Sequence, residues 1–184
     1  MSHLYYLVGP PGSGKRTVGK ALSALTGAAL LDNHLTNDPV FLAAGVSSDT
    51  EVPAEVWELC FEIRRAVRAA TLHAPRTLAH IFTNYLTAEE REWQNVERLR
   101  TLAATRGVPF VPVWLSCPLP ELERRMGLPE RLERLKLRDP AKLRELMDGA
   151  GNLPPPPDAI TIDTSAIGPA DAARLIASHA GALF

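Results

Sequence analysis

Gly9-Pro10-Pro11-Gly12-Ser13-Gly14-Lys15-Arg16-Thr17 is the stretch that decides how this chain folds. It follows a short apolar run, Leu4–Val8, that is typical of a buried strand, and it leads into a helical pattern from Lys15 to Thr26. The glycines let the backbone curl until several N–H groups point inward, and the helix adds the positive end of its dipole. Lys15 supplies a mobile positive charge. The stretch therefore predicts a loop that binds the phosphates of a nucleoside triphosphate.

An alternative interpretation of the same stretch is a tight turn without a ligand, because prolines between glycines also suit a turn. The match to G-x-x-x-x-G-K between a strand and a helix favours the phosphate loop. One residue departs from the usual pattern, since Arg16 stands where a Ser or Thr normally binds Mg²⁺. We therefore expect Mg²⁺ to use the hydroxyl of Thr17, or to depend on water and on acidic groups elsewhere. Arg16 itself either faces the phosphates or is solvated.

Downstream of the loop, apolar runs of strand length alternate with segments of helical period. We predict strands at 28–31, 77–82, 110–116 and 159–162, and helices at 54–73, 87–106, 119–126 and 170–180. A short helix and a loop are expected between Asp32 and Pro53. This alternation is typical of an α/β fold with a mostly parallel sheet.

The predicted helix 54–73 has apolar residues at helical spacing. We expect one buried face made of Val56, Leu59, Cys60, Ile63, Val67 and Ala70. Phe61, Arg64, Arg65 and Arg68 are expected to lie largely off that face.

Composition limits the classes of protein to which the chain belongs. Its 184 residues, 46% hydrophobic and 22% charged, suit one globular domain, which we assign to 1–184. The net charge is -1, so we expect no nucleic-acid and no membrane partner. Two cysteines, Cys60 and Cys117, exclude a disulfide scaffold, and no signal-like segment begins the sequence. These features predict a cytoplasmic protein, either a monomer or a homodimer.

Asp32 follows the second predicted strand, at the edge of a parallel sheet that faces the ligand crevice. A carboxylate at this edge can accept a proton from a substrate hydroxyl or hold a water molecule on Mg²⁺. The alternative is that Asp32 only caps a helix that begins near Leu35.

Two stretches resemble a known group of enzymes. Residues 9–17 resemble the phosphate loop of adenylate kinases, and residues 30–34, Leu-Leu-Asp-Asn-His, resemble shikimate kinases, in which a D-x-D follows the second strand. The tetrapeptide Asn-His-Leu-Thr at 33–36 is also similar to bacterial proteins grouped as shikimate kinase-like or AAA-type ATPases. The resemblance implies the three-layer fold of P-loop kinases: a five-stranded parallel sheet in the order 2-3-1-4-5, helices on both faces and a mobile lid.

The same resemblance implies roles for individual residues. ATP would bind residues 9–17, with Lys15 on the β- and γ-phosphates, while Thr17 and Asp32 would serve Mg²⁺. Asp32 or His34 would lie near the proton of the acceptor hydroxyl. Arg64, and less firmly Arg65, would contact an anionic group of the acceptor. The loop at 163–165, Asp-Thr-Ser, would flank the adenine, unless it only caps the final helix.

An arginine-rich segment corresponds to the lid. Between Glu121 and Glu145 lie eight basic residues interleaved with six acidic ones. We assign a lid to about 124–144, in which Arg131 would stabilise the transferring phosphoryl group and Arg134 would contact the acceptor. Arg124 or Arg125 would lie near the base. The alternative is a solvated pair of helices held by salt bridges.

Two departures from the family pattern concern the acceptor side. His34 replaces the second acid of the shikimate kinase pattern, which counts against shikimate as the substrate. The third strand and its end, Leu78 to Asn84, contain no Asp or Glu, and the Gly-Gly-Gly turn that shikimate kinases use for substrate is absent.

These observations predict an ATP-dependent phosphotransferase that moves the γ-phosphate to a hydroxyl of a small-molecule acceptor. Two alternatives remain open at this point. The missing acid on the third strand and Arg16 suit a nucleotide-binding switch or slow ATPase, and the adenylate kinase-like loop suits a nucleoside or nucleotide kinase.

Overall fold

The structure is a computed structural model that describes residues 2–47, 50–129 and 135–181. Five strands form one sheet: β1 (Leu4–Val8), β2 (Ala29–Leu31), β3 (His80–Asn84), β4 (Phe110–Ser116) and β5 (Ile160–Asp163). All neighbouring strands are parallel, and their order is β2-β3-β1-β4-β5. The α/β class and the strand order implied by the resemblance are therefore confirmed. Strand β1 occupies the centre of the sheet, so the loop that follows it lies at the middle of the carboxyl edge.

Seven helices lie in the described part of the chain. They are α1 (Lys15–Thr26), α2 (His34–Ala43), α3 (Ala54–Thr71), α4 (Trp93–Arg106), α5 (Leu119–Met126), α6 (Pro140–Ala150) and α7 (Pro169–His179). The bounds of β1, α1, β4 and α5 are those predicted. Helix α4 begins later than predicted, after a 3₁₀ turn at Glu90–Glu92. Helix α6 begins inside the predicted lid, where the side chain of Asp139 caps it by accepting from the N–H of Ala141 at 2.8 Å.

Strand β1 is buried along its whole length because helices cover both faces of the sheet. Its side chains alternate, as a strand requires. Tyr5 and Leu7 pack with residues of α1 and α7, whereas Leu4, Tyr6 and Val8 pack with residues of α4. The sheet and the helices on its two faces form three layers. This packing on both sides holds the carboxyl end of β1 in place.

Two smaller apolar clusters lie outside these layers. Val40, Phe41 and Cys60 join α2 to α3, and Leu135 from the segment after α5 packs against them. Leu122, Met126 and Leu143 join α5 to α6. None of the helices in residues 2–47, 50–129 and 135–181 is both long and apolar enough to cross a membrane.

The predicted buried face of α3 is wrong in part. Cys60 is buried and Val56 packs beside it, as expected, but Leu59 is 51% exposed, Ile63 is 37% exposed and Ala70 is also exposed. The inward face also includes Thr71 and the half-buried Arg64, whose guanidinium donates to Oδ1 of Asn37 on α2. A polar partner on another helix therefore shifts the inward face away from the apolar periodicity of α3.

Candidate active site

The loop after β1 has the backbone of a phosphate-binding loop. Gly12 and Gly14 have φ angles of 90° and 82°, a left-handed region that favours glycine. Gly9 is confined for another reason, since a Cβ atom there would lie 2.4 Å from the carbonyl oxygen of Leu115 on β4. Both kinds of constraint hold the loop curled at the carboxyl edge of the sheet. Helix α1 begins directly after it and has no acidic residue in its first turn, so the positive end of its dipole is not offset locally.

Lys15 lies over this loop. Its Nζ donates to the carbonyl oxygens of Gly9 at 2.7 Å and Pro10 at 2.8 Å. An ammonium group held by two neutral carbonyls keeps its charge, which is the charge that phosphate oxygens attract. Ser13 is fully buried in the same loop, and its Oγ has no hydrogen-bond partner. The geometry supports the phosphate loop and not a simple turn.

Asp32 lies beside the loop, at the end of β2, and is 4% exposed. Its Oδ1 accepts from the hydroxyl of Thr83 on β3 at 2.9 Å. Its Oδ2 is buried and accepts no hydrogen bond, and it lies 3.4 Å from Nε of Arg16. Helix α2 starts with Asn33 at its N-cap position and has no side-chain cap. The helix-capping alternative for Asp32 is therefore excluded.

This arrangement fits Mg²⁺ in one specific way. Mg²⁺ keeps several waters and uses one or two carboxylates together with the substrate phosphates. The unpartnered Oδ2 of Asp32 is suited to a metal-bound water. Thr17 is exposed on α1, and a role of its hydroxyl toward Mg²⁺ stays a prediction. Among residues 2–47, 50–129 and 135–181, no group of three His, Cys, Asp or Glu residues could hold a metal ion by itself.

His34 lies in the first turn of α2 and is oriented by an acid that the sequence analysis missed. Its Nδ1 lies 2.9 Å from Oδ1 of Asp38, one helical turn later, and the carboxylate is buried. With Nδ1 bound to Asp38, the other ring nitrogen is left to contact a ligand. The pair therefore fixes the orientation of a histidine at the start of α2, two residues after Asp32.

Arg64 reaches α2 from α3. Its Nε and Nη2 donate to Oδ1 of Asn37 at 3.1 and 2.9 Å. Its guanidinium carbon lies 5.5 Å from the ring centre of Phe61 and 6.0 Å from that of Trp57. Burial lowers the pKa of Arg64. Arg65 is exposed, so of the two arginines considered for the acceptor, Arg64 is the one that the fold brings to α2.

Arg125 contacts the phosphate loop, whereas Arg124 does not. Nη1 of Arg125 donates to the carbonyl oxygen of Gly12 at 3.2 Å and to Oγ1 of Thr164 at 3.1 Å, and its Nη2 donates to the carbonyl oxygen of Thr164 at 2.8 Å. The side chain of Arg124 is 63% exposed and pairs with Glu121 at 2.6 Å. Arg125 therefore joins the loop after β1 to the loop after β5, in the place expected for the base.

The lid prediction falls partly on residues that are not described. Arg131 and Arg134 lie outside the described residues. Arg138 is exposed. Arg144 on α6 pairs with Glu123 on α5, as expected if α5 and α6 form a helix pair held by salt bridges.

The end of β3 contains no acid, as predicted, but it contributes two polar side chains. The hydroxyl of Thr83 holds Asp32, and Nδ2 of Asn84 donates to the hydroxyl of Tyr6 at 3.4 Å. The buried polar run at 36–38 was not singled out from the sequence. The sequence feature that could have indicated this run is three consecutive polar residues, Thr-Asn-Asp, inside a short helix that also contains Pro39.

The chain is similar to kinases of known type. No family model matches the sequence. A shikimate kinase from Salinispora arenicola is 33% identical over 150 residues, which cover 80% of this chain and 80% of that enzyme.

Solved structures share the fold at low identity. A Chloroflexus aurantiacus protein described as a kinase matches with a TM-score of 0.72 and 17% identity, covering 100% of this chain and 98% of that one. The shikimate kinase of Acinetobacter baumannii, solved with shikimate, matches with a TM-score of 0.58 and 21% identity over 97% of this chain and 93% of that one. A gluconokinase from Sinorhizobium meliloti matches with a TM-score of 0.57 and 18% identity over 98% and 91%. At these identities the structures establish the fold alone.

Proposed function

The chain belongs to the shikimate kinase family of P-loop kinases, and from that premise we propose that it transfers the γ-phosphate of ATP to a hydroxyl of a small-molecule acceptor. The observation that carries this proposal is the position of Asp32. Its buried carboxylate lies at the carboxyl edge of the sheet, next to the phosphate loop, with one oxygen fixed by Thr83 and the other without a hydrogen-bond donor. A group in that position can act on the acceptor hydroxyl and on a metal-bound water.

On the donor side, the backbone N–H groups of Gly12 and Gly14, the dipole of α1 and the charge of Lys15 would hold the β- and γ-phosphates. Together these groups would fix the position of the triphosphate and offset the negative charge of the transferring phosphoryl group. Arg125 would lie near the base, because it bridges Gly12 and Thr164. Mg²⁺, when bound to the nucleotide, neutralises phosphate charge, and Asp32 would hold it through water.

On the acceptor side, Asp32 and His34 are the two groups that can take the proton of the attacking hydroxyl. Asp38 fixes the ring of His34 through Nδ1, which leaves the other ring nitrogen for the acceptor. Arg64 would bind an anionic group of the acceptor, with its orientation set by Asn37. Arg131 and Arg134 stay predictions for the lid.

The acceptor proposed here is not shikimate. His34 stands in place of the second acid of the shikimate kinase pattern, and the Gly-Gly-Gly turn of that pattern is absent. An imidazole in place of a carboxylate would present a different hydrogen-bond partner to the acceptor. Use of ATP as the donor suits a cytoplasmic enzyme with a small-molecule substrate.

One observation favours a second candidate function. Because β3 has no acid and Arg16 lies beside Asp32, the chain also suits a nucleotide-binding switch that hydrolyses ATP slowly. Such a protein would release ADP at the same low rate with or without an acceptor.

A single experiment tests the proposal. ADP release from MgATP is measured with and without a pooled panel of alcohols, sugars, nucleosides and hydroxyl-bearing antibiotics, for the wild type, Lys15→Ala and Asp32→Asn. We expect acceptor-dependent release that falls at least about 100-fold in both variants, because each removes a charge that acts on the reacting groups. Arg174→Ala, on the exposed side of α7, is the matched control and should keep full activity. Tight MgATP binding with no effect of any acceptor would favour the switch.

A further inference from the structure

One exposed face of α3 is apolar. Four residues at helical spacing form a stripe along this face: Leu59, Ile63, Ala66 and Ala70. Leu59 is 51% exposed and Ile63 is 37% exposed, and both alanines are exposed as well. This stripe is called the α3 seam below. The outward face of a surface helix is usually polar, so an apolar seam on that face suits a surface that binds another protein.

The packing of the chain on itself uses a different face of α3. Cys60 packs with Val40 and Phe41 of α2, and Arg64 donates to Asn37 of the same helix. Cys60 and Arg64 each directly follow a residue of the seam, and one residue turns a helix by about 100°. The seam therefore lies beside the inward face, and a single copy of the chain leaves it exposed.

The spacing within the seam is that of a coiled coil. Its four residues follow one another at intervals of four, three and four, which is how the two core positions of a heptad alternate. Such residues lie along one line of a helix that pairs with a second helix. The spacing thus indicates that the occupant of the seam is itself a helix.

The charged residues beside the seam are divided by sign along α3. Glu55, Glu58 and Glu62 lie in the first half of the helix. Arg65 lies in the second half, on the same flank of the seam. All four are exposed, and in the described part of the chain none of them forms an ion pair or a side-chain hydrogen bond. Their charges are therefore available to a partner.

Two antiparallel copies of α3 would match both the seam and these charges. In a two-fold symmetric antiparallel pair, the same flank of each helix faces the other, so the acidic half of one copy meets the basic half of the second. A register that places Ile63 opposite Ala66 of the second copy also places Leu59 opposite Ala70. Each layer then combines one large and one small side chain. A parallel pair would instead bring the acidic halves of both copies to the same end, where like charges repel each other.

We propose that the α3 seam binds a second copy of this chain, forming a two-fold symmetric dimer in which Glu62 of each copy pairs with Arg65 of the other. The same patch then serves on both copies, as a two-fold interface requires. The inference goes beyond the proposed function and does not depend on it, because no residue of the seam is assigned to ATP or to the acceptor. One helix from each copy makes a small interface, so we expect a reversible dimer with a dissociation constant of about 10 µM.

Sedimentation equilibrium of the full chain, without nucleotide or acceptor, measures the dimer at protein concentrations that span this constant. Ile63→Glu should weaken association at least about 100-fold, because it places a charge in the middle of the seam on both copies. Leu175→Glu is the matched control. It changes an apolar residue of α7 that is 48% exposed, and it should alter the dissociation constant less than about twofold. Thermal unfolding of dilute protein verifies that the variants keep their fold.

Charge reversal tests the antiparallel arrangement. At low ionic strength, Glu62→Arg and Arg65→Glu should each weaken the dimer about tenfold, because each turns two attractive pairs into repulsive ones. The double variant carries opposite charges across the interface again. It should therefore associate about as tightly as the wild type.

Three results would overturn the inference. A chain that stays monomeric throughout the titration would show that the seam does not bind a second copy and is left to another partner. A dimer that Ile63→Glu does not weaken would be formed by another surface. Single charge reversals without effect, or a double variant as weak as the single ones, would exclude the antiparallel pair.

Discussion

Arg16 occupies the position directly after the phosphate-loop lysine, where P-loop NTPases use a hydroxyl to bind Mg²⁺. Its Nε lies 3.4 Å from Oδ2 of Asp32, and that oxygen is the one suited to a metal-bound water. A Mg²⁺-bound water here would compete with Arg16 for a single carboxylate oxygen, so we expect Arg16 to oppose Mg²⁺ at this point. The same guanidinium supplies positive charge near the phosphates when the metal is absent.

Replacing Arg16 should therefore change the metal dependence of nucleotide binding. We expect Arg16→Ser to raise the affinity of the ATP complex for Mg²⁺ about tenfold, because it removes the competing cation and adds a hydroxyl ligand. The measurement is a Mg²⁺ titration of the ATP complex, followed by calorimetry or by tryptophan fluorescence.

Arg16→Gln is the matched control for this prediction. It removes the charge without adding a metal ligand, so its Mg²⁺ affinity should lie between those of the wild type and Arg16→Ser. An unchanged or weaker Mg²⁺ affinity in Arg16→Ser would show that Arg16 and the metal do not compete for Asp32.

At the scale of elements, the phosphate loop depends on how closely β1 and β4 approach each other. Gly9 directly follows β1 and lies against the backbone of Leu115 on β4. A backbone carbonyl in a central strand cannot move aside as a flexible side chain does, so the lack of a side chain at Gly9 is a packing requirement. The curled conformation of the loop therefore depends on the close pairing of β1 with β4.

Gly9→Ala should destabilise the fold and weaken ATP binding together. The added Cβ would lie 2.4 Å from the carbonyl oxygen of Leu115 and 2.7 Å from Oγ of Ser13, so we expect a loss of about 1–3 kcal/mol from the free energy of unfolding. Gly149→Ala in α6 is the control, because nothing lies within 4 Å of its Cβ, and it should stabilise by up to about 1 kcal/mol. Urea denaturation measures both variants. Equal stabilities would contradict the packing argument.

The elements also show what the sequence could predict. The phosphate loop and the alternation of strands and helices follow from local chemistry, such as glycine spacing and apolar runs, and the structure has them at the expected positions. The inward face of α3 depends on Asn37, which comes from another helix and binds Arg64 across the space between them. The spacing of apolar residues in α3 does not show that a residue of another helix will bind Arg64. Leu59 was therefore wrongly expected to be buried.

The residues of the candidate site also divide into those that were predicted from the sequence and those that were missed. Lys15 and Asp32 were found because their place after a strand determines their position at the sheet edge. Asn37 was missed because its role arises only when α2 packs against α3. Asp38 was missed although it binds His34 one turn away in the same helix, a spacing that the sequence contains. Arg125 and Arg124 are adjacent in sequence, and only the direction of α5 decides which one reaches Gly12.

At the scale of the whole molecule, β3 begins with a buried histidine, His80, at the edge of the sheet opposite the candidate site. His80 is 4% exposed, and its Nδ1 has no hydrogen-bond partner. Burial lowers the pKa of His80, and the charge of Arg106 lowers it further. Arg106 is itself fixed, since its guanidinium binds the backbone carbonyls of Thr71, Pro75 and Leu78. The folded protein therefore keeps His80 neutral at a pH where the unfolded chain accepts a proton.

This difference predicts that acid weakens the fold. Below the ordinary histidine pKa of about 6.5, the unfolded state binds one more proton than the folded state, so the free energy of unfolding falls as the pH falls, by at most about 1.4 kcal/mol per pH unit from this residue. In His80→Leu that contribution is absent, and the loss of stability between about pH 7 and pH 5 should be smaller than in the wild type. Urea denaturation across this range measures the slopes. His73→Leu, at an exposed histidine, is the control and should follow the wild type. Parallel curves for the wild type and His80→Leu would show that His80 takes up its proton equally in both states.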